Sequence, residues 1–169
     1  VGKLEERKKL HLSMMTAFEL AKLQPDLKVN ISLVYSWKNK NSDRIKNEIY
    51  NYKNEIVGKA QNLTVNLHYE ISNKIVRQLM ASADIYLHPA DCEPASYAVV
   101  EAYAMGCFVI CKKDCLTAEY LDEKNFIALD VVIPNKVSNH IAKNISDIKD
   151  INLRVERRSK IKAIFDKII

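Results

Sequence analysis

Two acidic residues, Glu93 and Glu101, stand with seven residues between them in the stretch from Asp84 to Ile110, and their setting suggests ligand chemistry. An apolar run, Asp84-Ile-Tyr-Leu-His88, reads as a strand closed by Pro89, and a helix is predicted from about Ser96 to Met105. Glu93 then falls in the loop at the strand's carboxyl end, and Glu101 lies about five residues into the helix, so both carboxylates can face one crevice. The exposed amides of Ser96, Tyr97 and Ala98, with the positive end of the helix dipole, would favour a phosphate there. Deeper along the helix, the Glu101 carboxylate is suited to accept two hydroxyl hydrogen bonds, as a ribose diol offers. A loop acid beside a helix-surface acid would be the simpler account of an arbitrary pair.

Other reactive side chains read more plainly. Asp91-Cys92-Glu93 has the form of an acidic metal triplet. His88 reads as a satisfied strand-end histidine rather than a wall of the crevice. Cys107, Cys111 and Cys115 repeat every fourth residue, a spacing that fits neither paired zinc ligands nor iron-sulfur loops. With Phe108-Val-Ile110 between the first two, the cysteines are expected to be small buried hydrophobes.

The elements that must position these residues alternate. Leu10, Met14, Ala17 and Ala21 repeat at helical spacing before Pro25-Asp26, and Lys28 to Tyr35 reads as a strand. Ser42 is expected to cap a helix carrying Ile45, Ile49, Tyr52 and Ile56, followed by a strand from Asn62 to Leu67. Ser72 is expected to cap a third helix through Ile75, Val76, Leu79 and Met80. After the Glu93–Glu101 segment come an apolar strand, Cys107 to Cys111, a short helix near Thr117 to Leu121 and a strand at Phe126 to Leu129. Helices from about Asn135 to Ile148 and Leu153 to Ile168 close the chain. Such alternation implies right-handed crossovers and an α/β fold with a Rossmann-like, doubly wound parallel sheet, whose ligands sit at the carboxyl ends of the strands.

Composition sets the outer limits. The 169 residues, 48% hydrophobic and 28% charged, fit one soluble globular domain spanning 1–169 and exclude disordered, collagenous and disulfide-scaffold classes. Only three glycines are present, so no glycine-rich phosphate loop exists. A net charge of +5 suits an anionic ligand or a membrane surface but falls short of a nucleic-acid footprint. No apolar run approaches a spanning helix and no secretory signal is evident, which predicts a cytoplasmic protein, peripheral at most to the inner membrane, and makes the Asn30, Asn62 and Asn144 glycosylation patterns chance matches. Arg154, Arg157, Arg158, Lys160 and Lys162 read as a solvated basic face, with contact to anionic lipid or to a missing half of the protein as the sharper alternative. The chain opens at Val1 without a methionine and is expected to be cut from something longer.

The Glu, seven residues, Glu pattern followed by Ala102-Tyr-Ala-Met-Gly106 and an apolar strand resembles the carboxy-terminal, nucleotide-sugar-binding half of the retaining GT-B glycosyltransferases of family four. Val1-Gly2-Lys3-Leu4 with Lys8 is similar to that family's Gly-Arg-Leu and downstream Lys-Gly, and Thr117-Ala-Glu119 matches its usual later Glu. The resemblance implies that Glu101 holds the nucleotide's ribose, that Glu93 contacts the donor sugar and that Lys3 and Lys8 neutralise the departing diphosphate. It places Ser96, Tyr97, Ala98 and Glu119 among the donor-binding residues. Transfer of this type retains anomeric configuration without a bound metal or other cofactor. A cation about 4 Å from the leaving group contributes about 4 kcal/mol at an effective dielectric near 20, before desolvation. The sequence departs from the family at Lys3, where arginine is usual, at Pro94 and Ser96, often glycines, and at Lys9, where glycine follows the lysine.

The expected activity is that of the donor-binding half of a hexosyltransferase, serving bacterial surface polysaccharide or glycoconjugate synthesis, with UDP as the favoured nucleotide. Its acceptor domain lies outside the chain, so the isolated half is expected to bind without transferring. Two other classes stand beside it. An epimerase or phosphorylase of the same architecture would need its own catalytic acids or a cofactor lysine. A receiver-like module would need a phosphorylatable Asp after its third strand, where His68-Tyr69-Glu70 stands instead.

Overall fold

The structure is a computed structural model that describes residues 2–36, 41–93, 95–115, 117, 121 and 126–168, with 161–168 described through the backbone alone. In chain order its elements are β1 (Gly2–Lys3), a 3-10 turn (Glu6–Lys8), α1 (Leu10–Leu23), β2 (Val29–Ser36), α2 (Ser42–Val57), β3 (Leu63–Tyr69), α3 (Asn73–Ser82), β4 (Ile85–His88), α4 (Tyr97–Ala104), β5 (Phe108–Lys112), β6 (Phe126–Leu129), α5 (Pro134–Lys143), α6 (Ile145–Lys149) and α7 (Ile151–Ile168). The described strands form two three-stranded parallel sheets, β1-β2-β3 and β4-β5-β6. The chain divides into two compact units. The first holds Val1–Ile71, Pro89–Asp91 and Val132–Lys143; the second holds Ser72–His88, Cys92–Val131 and Asn144–Ile169.

In the first unit, Leu10, Met14, Ala17 and Ala21 form the buried stripe that their spacing predicts, and α1 ends ahead of Pro25. β2 pairs with β3 from Val29↔Leu63 to Tyr35↔Tyr69, burying Val29, Leu33, Val34, Leu63 and Val65. Asn62 fixes this arrangement, because its Nδ2 donates toward the Ala21, Gln24 and Leu27 carbonyls at 3.0, 3.0 and 2.8 Å, satisfying the end of α1. Its amide is thus committed to the fold. α5 packs on α1, with Ser138 Oγ 2.8 Å from the Thr16 carbonyl.

Two capping expectations need correction. Ser42 is the first helical residue of α2 and is buried, while Asn41 occupies the cap position and makes no side-chain capping bond to the helix. Ser72 does stand at the cap of α3, but its carbonyl rather than its hydroxyl meets the helix, accepting from the Val76 amide.

In the second unit β5 is the central strand, and Phe108, Val109, Ile110 and Cys111 are all buried, which explains the unbroken apolar run. α4 buries Val99, Ala102 and Tyr103 and turns into β5 at Gly106, whose φ of 88° lies in the left-handed region that glycine adopts without strain. A Cβ there would meet Arg154 Cγ at 2.7 Å and the Arg154 carbonyl at 3.1 Å. α7 lies behind this turn. The buried Arg157 donates from Nε to the Gly106 carbonyl at 2.9 Å and from Nη2 to the Ile148 carbonyl at 3.2 Å, and Arg158 Nε donates to the Met105 carbonyl at 3.0 Å. Arg154 bonds the Ala81 carbonyl and faces Asp84, and Lys160 pairs with Glu156 at 2.6 Å. Of the arginines expected to form a solvated basic face, Arg157 is instead buried, and it and Arg158 donate to carbonyls at the end of α4 while Arg154 donates to the end of α3.

Candidate functional site

At the end of β4 the alternation of the strand buries Tyr86 and His88 on one face. Their rings stack with centroids 6.0 Å apart and planes 18° from parallel. The chain returns to the second unit at Cys92, whose φ of 53° is left-handed and whose amide donates to Asp114 Oδ2 at 3.2 Å. This turn brings Glu93 to His88, with Glu93 Oε2 3.1 Å from His88 Nε2. His88 is therefore a satisfied strand-end histidine, and the carboxylate that satisfies it is one of the two acids singled out by spacing.

α4 begins at Tyr97, so Glu101 stands one turn further on the same face. Both are exposed, Tyr97 at 87%, and they lie opposite the buried Val99, Ala102 and Tyr103. Burial pushes the Tyr86 phenol far above the ordinary tyrosine range, with the carboxylates of Glu93 and Glu101 adding to the effect.

The amides at the start of α4 are not equivalent. Ser96 is buried and its N–H donates to Thr117 Oγ1 at 2.8 Å. The Cys111 thiol, and after it the Thr117 hydroxyl, draw Cys115 down to about 7 against the effect of burial, while Cys111 is pushed up. Among the described residues no other group claims the Tyr97 and Ala98 amides, which point past the helix start as first-turn N–H groups do. Glu119 lies outside the described residues. Thr117 is the supporting residue that sequence reasoning missed, and its signal was only a hydroxyl two residues before the expected Glu.

Cys107 is buried, donates to the Met80 carbonyl at 3.1 Å, and burial pushes its thiol up to about 11. Cys111 and Cys115 are equally buried, whereas Cys92 is exposed. Among the described residues no group of three His, Cys, Asp or Glu side chains gathers as metal ligands. No helix among them is long and apolar enough to cross a membrane.

Lys3 and Lys8 belong to the first unit. β1 ends at the exposed Lys3, and the 3-10 turn folds Lys8 back so that its stem lies over Gly2, where a Cβ would meet Lys8 Cδ at 3.5 Å. Lys8 is 7% exposed. Lys9 follows with a φ of 47°, the left-handed geometry that glycine adopts without strain. The same unit contains a cleft of about 540 Å³ beside α1 and α2 that the sequence did not predict. Its charged lining is mutually engaged: Arg44 bonds Glu6 and, at 2.6 Å, Glu48.

Comparison with known proteins places this geometry in a group. A family model described as glycosyl transferases group 1 matches residues 1–164. Among solved structures, one from E. coli described as trehalose-6-phosphate bound with UDP-2-fluoro glucose superposes with a TM-score of 0.79 at 13% identity, over 98% of this chain and 39% of that one. An α,α-trehalose-phosphate synthase (UDP-forming) from Burkholderia xenovorans, in complex with glucose-6-phosphate, gives 0.76 at 12% identity over 96% and 38%. The catalytic domain of cholesterol-α-glucosyltransferase from Helicobacter pylori gives 0.64 at 19% identity over 97% and 95%. The chain therefore spans less than two-fifths of the first two, and the likeness establishes the fold, that of the GT-B glycosyltransferases. No curated protein sequence matches it.

Proposed function

The chain belongs to the group 1 glycosyl transferases, and from that membership we propose that it is the donor-binding half of a retaining, metal-independent hexosyltransferase. The observation that carries the reading is the start of α4, where Tyr97 and Glu101 share one exposed face of the helix that follows the Glu93 loop. In this reading the Tyr97 and Ala98 amides and the helix dipole receive a phosphate, since first-turn N–H groups lack partners within the helix. Glu101 accepts from the two ribose hydroxyls, and Glu93 accepts from a hydroxyl of the donor sugar. Lys3 and Lys8 carry the compensating charge for a departing diphosphate, and Glu119 completes the donor set. Ser96 contributes through its place at the helix cap rather than through its amide, which Thr117 holds.

The donor is a nucleoside diphosphate sugar, with UDP favoured by the frequency of that nucleotide in the family. The acceptor is a glycan or a lipid-linked glycan of a bacterial surface polysaccharide or glycoconjugate, bound by a further, amino-terminal domain. The work takes place in the cytoplasm at the inner face of the membrane, and the donor-binding half alone binds without transferring.

A thermal-shift series with UDP, GDP and ADP tests this. A ligand at ten times its dissociation constant stabilises by about 1.4 kcal/mol, which for a chain of this size is roughly 3–6 °C. A rise of that order with one nucleotide, UDP first, is the expected result. No rise with any of the three at millimolar concentration would refute donor binding by this chain.

A further inference from the structure

We infer that His88 is a positioning residue that holds the Glu93 carboxylate in the orientation in which it meets the donor sugar, an inference that rests on the donor-site reading above. His88 is the last residue of β4, and its side chain is only 4% exposed. Its Nε2 lies 3.1 Å from Glu93 Oε2, and the carboxylate itself is 15% exposed. A carboxylate only accepts, so the contact requires a proton on Nε2, and the imidazole is the donor. That contact commits Oε2 to the imidazole and fixes the carboxylate from the strand side.

The imidazole cannot easily swing away. It is anchored at both backbone and ring: the backbone is fixed by the His88↔Cys111 register of the β4–β5 ladder, and the ring stacks on Tyr86 at 6.0 Å between centroids. Glu93, by contrast, follows the left-handed Cys92 in a loop, and a loop glutamate with three rotatable side-chain bonds needs an anchor to present one oxygen. A buried, strand-borne donor supplies that anchor, in the way that outer residues fix the orientation of those that touch a ligand.

The test compares binding of a nucleoside diphosphate with binding of its sugar conjugate, because Glu93 is assigned to the sugar alone. The nucleotide is whichever of UDP, GDP or ADP binds best, and the conjugate is its glucose derivative. In the wild type the conjugate is expected to bind more tightly than the free diphosphate, and Glu93→Gln is expected to lose that margin. His88→Leu, which removes the donor, is expected to weaken the conjugate about tenfold while leaving the diphosphate within about twofold. His88→Gln places an N–H close to the Nε2 position and is expected to recover most of the loss, whereas His88→Asn, whose amide reaches only the Nδ1 position, is not. Thermal midpoints recorded for each variant separate folding from binding, and the Gln and Asn pair decides the matter if the Leu variant does not fold.

A wild type and a Glu93→Gln variant behaving as expected, with His88→Leu keeping the sugar margin or losing both ligands equally, would overturn the inference alone. Equal loss of the conjugate in the Gln and Asn variants would do the same. A wild type with no sugar-dependent margin would overturn the donor reading of Glu93 and this inference with it.

Discussion

Lys9 shows how a single residue records what its neighbours need. Its φ of 47° is the conformation that glycine takes freely, and an L side chain there costs roughly 1–2 kcal/mol. Lys9→Gly removes that strain but adds about 0.5–1 kcal/mol of chain entropy to be lost on folding. The expected net gain is about 0.5–1 kcal/mol, read as a higher urea midpoint with an unchanged slope. Thr117 is the opposite case, a residue whose removal should cost. Thr117→Val leaves the buried Ser96 amide without its acceptor and should lower stability by about 1–3 kcal/mol. Conservation of the thermal midpoint in that variant would remove Thr117 from the support of α4. His11, in the cleft of the first unit, gives a pH signature. Burial and then Lys9 hold its pKa below the ordinary 6.5, with Glu48 opposing. Below about pH 6.5 the unfolded chain takes up a proton that the folded chain resists, so stability should fall as pH drops through that region. His11→Gln should flatten this part of the midpoint-against-pH curve.

At the scale of elements, α4 is the piece that must stay still, and α7 holds it from behind. Arg157 is buried with two carbonyl acceptors, one on Gly106 at the close of the helix turn. Replacing it by Met keeps most of the volume and removes both charge-assisted bonds, for an expected loss of about 3 kcal/mol, or roughly 6–12 °C in the midpoint. An unchanged midpoint would show that α7 is dispensable to α4. Most of these elements were legible because their apolar residues repeat with a clear period: Leu10, Met14, Ala17 and Ala21 for α1, and Phe108 to Cys111 for β5. The break between α5 and α6 was not. Asn144 leaves the helical region with φ −114° and ψ 18°, yet the buried Val137, Ile141 and Ile148 keep helical phase across it, so the pattern reads as one helix. The start of α7 was missed by two residues for a related reason. Asp150 caps it, accepting from the Asn152 amide at 2.7 Å, and an isolated Asp among Lys and Asn gives little signal. β1 and the 3-10 turn are too short for any period to show.

For the molecule as a whole, the Glu93–Glu101 spacing, with the strand before it and the glycine turn after it, was enough to point to the family that the match over residues 1–164 shows. What the spacing could not carry was the second layer: the His88 anchor under Glu93, the Thr117 acceptor under Ser96, and the arginine donors behind Gly106. The Thr117 and arginine contacts join residues distant in sequence, and the His88 contact depends on the left-handed turn at Cys92, so no local period announces them. Those contacts arise only when strand register and helix packing bring the partners together. The most direct test of the account is the ribose. With the best-binding nucleoside diphosphate and its 2′-deoxy analogue, titration calorimetry on the wild type and on Glu101→Ala forms a closed cycle. A preference of about tenfold for the ribose form in the wild type, abolished in the variant, is what a carboxylate bonded to the diol requires. Equal affinity for the two nucleotides in the wild type, or a preference that survives in Glu101→Ala, would contradict it.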